Sequence, residues 1–235
     1  KDFVMIPPHT SQKEATLAGR YEKLLKIVRQ KGLNRVLNLD ENSHAKHPLA
    51  FITSGSSFCY LEHAFFEMGL SGKFPILKLG LTHPLDSELI ENFLSRAGTV
   101  IVVEEKRPFL ESQIRAILQR AGQTEPHRFD GVRVYGKTFP QDLPGFPEVR
   151  GLNASLLIER LGSLFLKLDL PELKGNISRI KREMELVRET ESPKFSIPAR
   201  TPTFCPGCPH RDSATVSLKI KKELGDVIFH GESGC

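Results

Sequence analysis

The sequence predicts an α/β fold, an open parallel sheet flanked by helices. Short apolar segments recur between residues 49 and 135, a helical pattern follows each of the first three, and the segments are apolar throughout rather than alternating. Strands that are apolar on both faces are typical of parallel sheets, which helices cover on both sides. Helices of about 10 to 15 residues between the strands supply the crossovers that parallel pairing needs.

Before the sheet, Ser11 and Glu14 have the spacing of a capping box, and apolar residues follow on one face up to Gly32. We therefore predict one helix over 11–31. The polar stretch 38–47 ends this pattern, and we expect a domain boundary there. The predicted strands are 49–53, 74–79, 99–103 and 132–135, and the helices between them cover about 57–68, 87–96 and 108–122.

Beyond the sheet, a Pro-rich loop at 140–147 leads to a helix from about Asn153, and a second helix covers about 177–188. Asn153 and Asn176 match a glycosylation sequon, but each stands where a helix N-cap is expected, so we interpret both as capping residues. Residues 191–202 contain three prolines and no periodicity, which predicts a linker. An apolar run at 227–229 predicts a further strand.

Composition argues against several classes of protein. The 235 residues are 39% apolar and 26% charged, with a formal net charge of +5, which disfavours a disordered, collagenous or disulfide-scaffold protein. The charges are interspersed, so we expect no nucleic-acid partner. No apolar stretch approaches the ~20 residues of a membrane span and no secretion signal is visible, so we expect no membrane partner and a cytoplasmic location. Because the chain begins at Lys1 and stops just after an apolar run, we expect a piece of a longer polypeptide.

Ligands of parallel α/β sheets collect beyond the carboxyl ends of the strands. The turn at 53–57 contains glycine and hydroxyl residues that suit a phosphate, but it matches no phosphate-binding motif. Glu104 and Glu105 are adjacent, so on a strand they point to opposite faces and do not form a catalytic pair without a bend. We expect helix capping or interface roles for them.

The segment 205–211, Cys-Pro-Gly-Cys-Pro-His-Arg, is the most informative one. Two prolines and a glycine predict a rigid loop that holds two thiols, an imidazole and a guanidinium together. The residues alone leave three functions open: a zinc site, thiol redox exchange, and a structural turn with inert cysteines. The zinc ligands would be Cys205, Cys208, His210 or His230, and Cys235.

This loop resembles the one that opens the thiamine diphosphate domain in the alpha-type subunit of indolepyruvate ferredoxin oxidoreductases. Further stretches resemble that subunit in the same order: FVMIP at 3–7, FITSG at 51–55, LKLGL at 77–81 and VVEE at 102–105.

The resemblance implies an organisation into four parts. Residues 1–47 would be the exit of the pyrimidine-binding domain and its connecting helix, and residues 48–170 an α/β domain similar to the transketolase C-terminal domain. Residues 171–199 would be a helix and linker. Residues 200–235 would begin a second α/β domain, which binds thiamine diphosphate.

The resemblance also implies oxidative decarboxylation of an aryl 2-oxo acid such as indolepyruvate to the acyl-CoA, with reduction of ferredoxin. The expected cofactors are thiamine diphosphate, Mg²⁺ and [4Fe-4S] clusters, largely outside these residues. The expected partners are ferredoxin, a second oxidoreductase subunit or a fused equivalent, coenzyme A and the 2-oxo acid, in an oligomer.

By the same resemblance, Gly207, Cys208, His210, Gly234 and Cys235 would bind the cofactor, and no catalytic residue lies in these 235 residues. Glu232 and Ser233 replace the residues usual in the family near the thiazolium. We therefore expect these residues alone to be inactive.

Overall fold

The computed structural model describes residues 6–40, 45–191 and 204–229. The chain divides into two compact units, Lys1–Ser192 and Pro193–Cys235. None of the described helices combines the length and the apolar character that crossing a bilayer requires.

The first unit is an α/β sheet unit. Among its described residues the strands are β1 (Arg35–Leu37), β2 (His47–Ser54), β3 (Ile76–Leu79), β4 (Ala97–Val103) and β5 (Arg133–Tyr135). Its helices are α1 (His9–Ala15), α2 (Leu17–Gln30), α3 (Gly55–Glu67), α4 (Ser87–Leu94), α5 (Phe109–Thr124), α6 (Pro126–Phe129), α7 (Ala154–Phe165) and α8 (Ile177–Glu191), with 3₁₀ turns at Pro140–Asp142 and Pro171–Leu173.

The strands are ordered β1-β3-β2-β4-β5. Strand β2 is central and parallel to both neighbours, with Phe51 opposite Ile76 of β3 and Ile101 of β4. Strand β5 is parallel to β4. The α/β fold is therefore confirmed, with one difference: β1 pairs with β3 in the antiparallel direction, so the sheet is mixed rather than wholly parallel.

Alternate residues of the strands enter two hydrophobic cores, one on each face of the sheet. Phe51 and the α3 residue Leu61 belong to the core that also contains residues of α7 and α8. Ile52 belongs to the other core, with Ile90 of α4 and Ile114 of α5. Because both faces are covered, the strands are apolar at nearly every position, which is the pattern that predicted them.

The first helix departs from its prediction. The hydroxyl of Thr16 donates to the carbonyl oxygen of Lys13 at 2.9 Å and its backbone N–H donates to the same oxygen at 3.2 Å, which separates α1 from α2. Because α1 already begins at His9, Ser11 lies inside the helix and does not cap it. Gly32 ends the helical region with a φ of 58°, as predicted.

The compact first unit includes elements on both sides of residues 48–170. Strand β1 joins the sheet before residue 48, and α8 buries Ile180, Met184 and Val187 in the core after residue 170. Asn153 caps α7 as predicted, accepting from the backbone N–H of Leu156 at 2.8 Å. The side chain of Asn176 instead accepts from the ammonium of Lys73 at 2.6 Å.

In the second unit, the described residues form a turn and helix α9 (His210–Leu224). Residues 227–229 have no regular secondary structure, so the strand predicted there is wrong. Nearly all of the linker predicted at 191–202 lies outside the described residues.

Candidate functional site

The segment 205–211 begins with a four-residue turn. The backbone N–H of Cys208 donates to the carbonyl oxygen of Cys205 at 3.1 Å. Gly207, the third residue of the turn, has a φ of 77°, a left-handed value that glycine adopts without steric cost. Proline second and glycine third are the preferred residues of a type II turn. The local sequence thus places two cysteines at the two ends of one tight turn.

Helix α9 follows this turn directly. The backbone N–H of Arg211 donates to the carbonyl oxygen of Cys208 at 3.1 Å. The ring of Phe204 lies 6.4 Å from the ring of His210, with 31° between their planes. A helix N-terminus carries partial positive charge, and the Arg211 guanidinium adds a full one, although the neighbouring Asp212 carboxylate carries an opposite charge in the same first turn. The loop therefore combines two thiols, an imidazole, an aromatic ring and positive charge.

The predicted residues of this loop are accessible. Cys205, Gly207 and His210 are exposed, whereas Cys208 is half-buried. Both cysteines are free thiols. The turn thus places Cys205 and Cys208 at its two ends, and His210 begins helix α9 two residues after Cys208.

The remaining predicted site residues, Gly234 and Cys235, lie outside the described residues, as does His230. Within 6–40, 45–191 and 204–229, no three side chains of histidine, cysteine, aspartate or glutamate form a group that could hold a metal ion. A zinc site would need Cys235, and that hypothesis stays a prediction.

In the first unit, the carboxyl ends of β2, β3 and β4 border a cleft of about 310 Å³. The chain passes from β2 to β3 on one side and from β3 to β4 on the other, which makes this edge a topological switch point. The cleft is lined by the turn 54–57 and by Glu104 and Glu105. The turn by itself would suit a phosphate, but the negative charges of Glu104 and Glu105 oppose the binding of one.

Glu104 caps helix α5 from the end of β4. Its side chain is 5% exposed and accepts from the backbone N–H of Leu110 at 2.7 Å and of Glu111 at 2.9 Å. Burial raises the pKa of the Glu104 carboxyl, and these hydrogen bonds and the Lys137 ammonium oppose the rise. That ammonium donates to the carbonyl oxygen of Glu104 at 2.9 Å, and burial lowers its pKa. The capping role expected of Glu104 is confirmed.

The neighbouring residue serves a different element. Glu105 accepts from the backbone N–H of Leu152 at 3.2 Å, in the loop before α7. Glu111 accepts from the backbone N–H of Lys137 at 2.9 Å and from Arg115 at 2.7 Å. Each carboxylate is thus engaged in holding backbone or a neighbouring cation, and the adjacent pair is not arranged for acid–base catalysis.

Sequence reasoning missed the ion pair that joins α2 to α4. The Arg29 guanidinium donates to both carboxylate oxygens of Asp86, each at 2.6 Å, and Asp86 also accepts from the backbone N–H of Leu89 at the start of α4. The hydrogen bond from Arg29 lowers the pKa of the Asp86 carboxyl, and burial opposes this. An aspartate before a helix signals a cap, but the distant arginine gave no local signal.

Comparison with known sequences matches residues 40–190 to the indolepyruvate oxidoreductase domain. The indolepyruvate oxidoreductase subunit IorA of Methanothermobacter marburgensis is 30% identical over 240 residues, which cover 100% of this chain and 33% of that protein. The same subunit of Methanothermobacter thermautotrophicus is 32% identical over 99% of this chain and 33% of its own length. The subunit of Archaeoglobus fulgidus is 29% identical over 99% of this chain and 32% of its own length.

The chain thus spans about a third of the length of these relatives. The domain match covers most of the sheet unit and ends before the cysteine loop, whereas the alignments with the relatives extend over nearly the whole chain, loop included. Because the domain match accounts for more than half of its residues, the chain belongs to the indolepyruvate oxidoreductase domain family.

Proposed function

We propose that this chain is part of a thiamine diphosphate-dependent 2-oxoacid:ferredoxin oxidoreductase. The full protein would oxidatively decarboxylate an aryl 2-oxo acid such as indolepyruvate to the acyl-CoA and reduce ferredoxin. The observation that carries the proposal is the domain match over 40–190. The relatives that align along the whole chain are named indolepyruvate oxidoreductase subunits, which supports the same enzyme class.

The cysteine loop fits such a cofactor in the chemistry of its donors. The start of α9 and the Arg211 guanidinium offer positive charge to a diphosphate, and the accessible His210 ring offers a flat surface and a polar edge. We propose that Gly207, Cys208 and His210 contact thiamine diphosphate and that Gly234 and Cys235 complete the contact. When bound, the cofactor supplies the carbanion and the electron sink for decarboxylation.

The contribution of the chain itself is positioning. The turn and the helix start order the backbone of 205–211 through successive hydrogen bonds, so the backbone positions that carry the Cys208 thiol and the His210 imidazole are set. Polar groups fixed in advance stabilise developing charge better than mobile ones. The sheet unit, whose buried carboxylates are engaged in capping and ion pairs, would act as the scaffold.

The other cofactors and partners are proposed on the same basis. Mg²⁺ and [4Fe-4S] clusters would bind in other parts of the full protein, since the sequence has no C-x-x-C-x-x-C cluster motif. Ferredoxin, a second subunit or fused equivalent, and coenzyme A would be its partners, within an oligomer. The 235 residues alone would be inactive and would bind thiamine diphosphate negligibly; micromolar binding in calorimetry would contradict this.

The direct test uses the full-length protein, prepared without oxygen together with its partner subunit. The measurement is coenzyme A-dependent reduction of a viologen dye with indolepyruvate, phenylpyruvate and pyruvate. We expect reduction that requires thiamine diphosphate and favours the two aryl acids. Failure with all three acids, despite bound cofactor and clusters, would refute the proposal.

One alternative deserves a measurement because the two thiols share one accessible turn. A zinc knuckle of Cys205, Cys208, His210 and Cys235 would make this region a non-catalytic module. Stoichiometric zinc in protein purified without added metal would favour the knuckle, and its absence would favour the cofactor loop.

A further inference from the structure

We propose that Cys205 and Cys208 form a reversible disulfide within the turn that joins them. The proposal goes beyond the function above, since the decarboxylation needs no thiol oxidation at these residues. It depends on the geometry of the turn, on the accessibility of its thiols and on the chemistry of disulfide exchange.

The turn keeps the Cα atoms of the two cysteines at a separation compatible with a disulfide. The hydrogen bond from the Cys208 N–H to the Cys205 carbonyl closes a four-residue turn, and the end Cα atoms of such a turn lie within about 7 Å. A disulfide usually spans Cα separations of about 4.4 to 6.8 Å. Gly207, at a φ of 77°, gives the turn its required conformation. Formation of the bond therefore needs side-chain rotation and little movement of the backbone.

Both thiols are free, and a small oxidant can reach the first of them. Cys205 is exposed and Cys208 is half-buried beside it. Cys59, on α3, is also an exposed free thiol, but it is the only cysteine in residues 1–192. It provides an internal control, because it can react with a small disulfide but shares the sequence of its unit with no second cysteine that could complete an exchange.

The reaction is a thiol–disulfide exchange with a low-molecular-weight disulfide such as oxidised glutathione. The Cys205 sulfur attacks one sulfur of the reagent, which breaks the reagent's S–S bond, forms a mixed disulfide and releases one small thiol. The Cys208 sulfur then attacks the sulfur of Cys205, forming the protein disulfide and releasing the second small thiol. Two protein thiols are oxidised, the reagent is reduced to two thiols, and the two protein protons leave on them.

The small size of the ring makes the bond a reversible one. A disulfide stabilises a fold mainly by closing a loop in the unfolded chain, and the effect grows with loop length. A loop of four residues gains little in this way, and a disulfide at an exposed position is readily reduced, so reduced glutathione in excess would reopen it. We therefore expect a redox-responsive bond and not a structural staple.

The test uses the full-length protein that contains this chain, reduced and prepared without oxygen. It is equilibrated in buffers of reduced and oxidised glutathione, quenched with acid, alkylated, digested with trypsin and analysed by mass spectrometry. Cleavage after Arg200 and Arg211 places Cys205 and Cys208 in one peptide. In oxidised buffer, we expect this peptide to lose two hydrogen atoms and to resist alkylation. In reduced buffer, it should regain the two hydrogen atoms and become alkylated at both cysteines.

Three variants make the result specific. In Cys208→Ser, Cys205 should stop at the mixed disulfide with glutathione, as Cys59 does in the unchanged protein. In Gly207→Ala, the equilibrium constant for the intraloop disulfide should fall roughly fivefold or more, because a side chain disfavours positive φ. Cys59→Ser should leave the loop peptide unchanged.

Several outcomes would overturn the proposal. These are separate glutathione adducts on both cysteines, full alkylation of both in oxidised buffer, a disulfide from either one to Cys235, and protection of both by bound zinc. Because the readout is the mass of a peptide, it does not depend on whether the protein has the proposed activity.

Discussion

Helices α8 and α9 have the same length but opposite surroundings. Each has 15 residues, and each carries apolar residues among many charges. Helix α8 buries Ile180, Met184 and Val187 in the core of the first unit. Helix α9 has no buried residue in the described structure, and its Leu218 is 66% exposed. An amphipathic pattern therefore predicts a helix and its apolar face, but not what covers that face.

The largest expected effect is on stability and tests the burial of helix α8. Ile180→Ala should lower the free energy of unfolding of the 235-residue chain by about 2 to 5 kcal/mol, because it removes a fully buried side chain and leaves a cavity. The chain contains no tryptophan, so urea unfolding would be followed by far-ultraviolet circular dichroism. A loss below about 1 kcal/mol would mean that α8 is not integral to the core.

The next effect concerns the ion pair between Arg29 and Asp86 in the first unit. The described residues of the second unit contain no such ion pair. Asp86→Asn removes the charge that Arg29 binds at 2.6 Å and weakens the cap of α4. We expect a loss of about 2 kcal/mol near neutral pH. Glu88→Gln is the matched control, because Glu88 also contacts Arg29 but is 70% exposed, and it should cost less than about 0.5 kcal/mol.

The same pair predicts a pH dependence. The Arg29 hydrogen bond lowers the pKa of Asp86 below its ordinary value of 3.8, so its contribution to stability is present above that value and is lost as the pH falls through the lowered pKa. The difference in unfolding free energy between the unchanged chain and Asp86→Asn should therefore shrink in acid. A difference that stays constant down to the acid transition would contradict the ion-pair explanation.

Glu104 should give a smaller pH dependence in the opposite direction, with stability lost as the pH rises. Burial raises its pKa above the ordinary value of 4.5, so stability from this group is lost as the pH rises from 4.5 through the raised pKa. In Glu104→Gln this decline should be absent, although the variant also loses an acceptor for the start of α5. The measurement is urea unfolding of both proteins across that pH range, and parallel pH profiles would refute the prediction.

The smallest effect tests the exposed side of the comparison. Leu218→Ala in α9 should change the unfolding free energy by less than about 0.5 kcal/mol, because the side chain loses little contact. A loss as large as that of Ile180→Ala would show that this face of α9 is covered in solution. Both helices would then have a buried apolar face.

The parallel strands and their helices were predictable because burial on both faces leaves an unbroken apolar run, as at residues 49–53 of β2. The cap at Asn153 was predictable because capping is local. Strand β1 was missed because three residues, two of them exposed, leave no periodic signal. Asn176 stands directly before α8, as predicted, but its side chain accepts from the distant Lys73, which the local sequence did not indicate.

The candidate site also has features that its local residues determine and features that depend on distant contacts. The turn at 205–208 follows from Pro206 and Gly207, whose conformational preferences are properties of the residues themselves. The burial of Lys137 beside Glu104 depends on a contact across 33 residues of sequence and is set by packing. The turn could therefore be predicted from its own residues, whereas the contact between Lys137 and Glu104 needed the structure.

The antiparallel strand β1 has a consequence for anyone who wishes to isolate the sheet region. Excision at residue 48 would remove the strand that pairs Val36 with Leu77 and the Arg29 partner of Asp86. One side of β3, with the apolar sequence Ile-Leu-Lys-Leu, would then be an unprotected edge. Such edges recruit strands from other molecules, so the shortened piece should self-associate on concentration, whereas a piece that starts before α2 should stay dispersed.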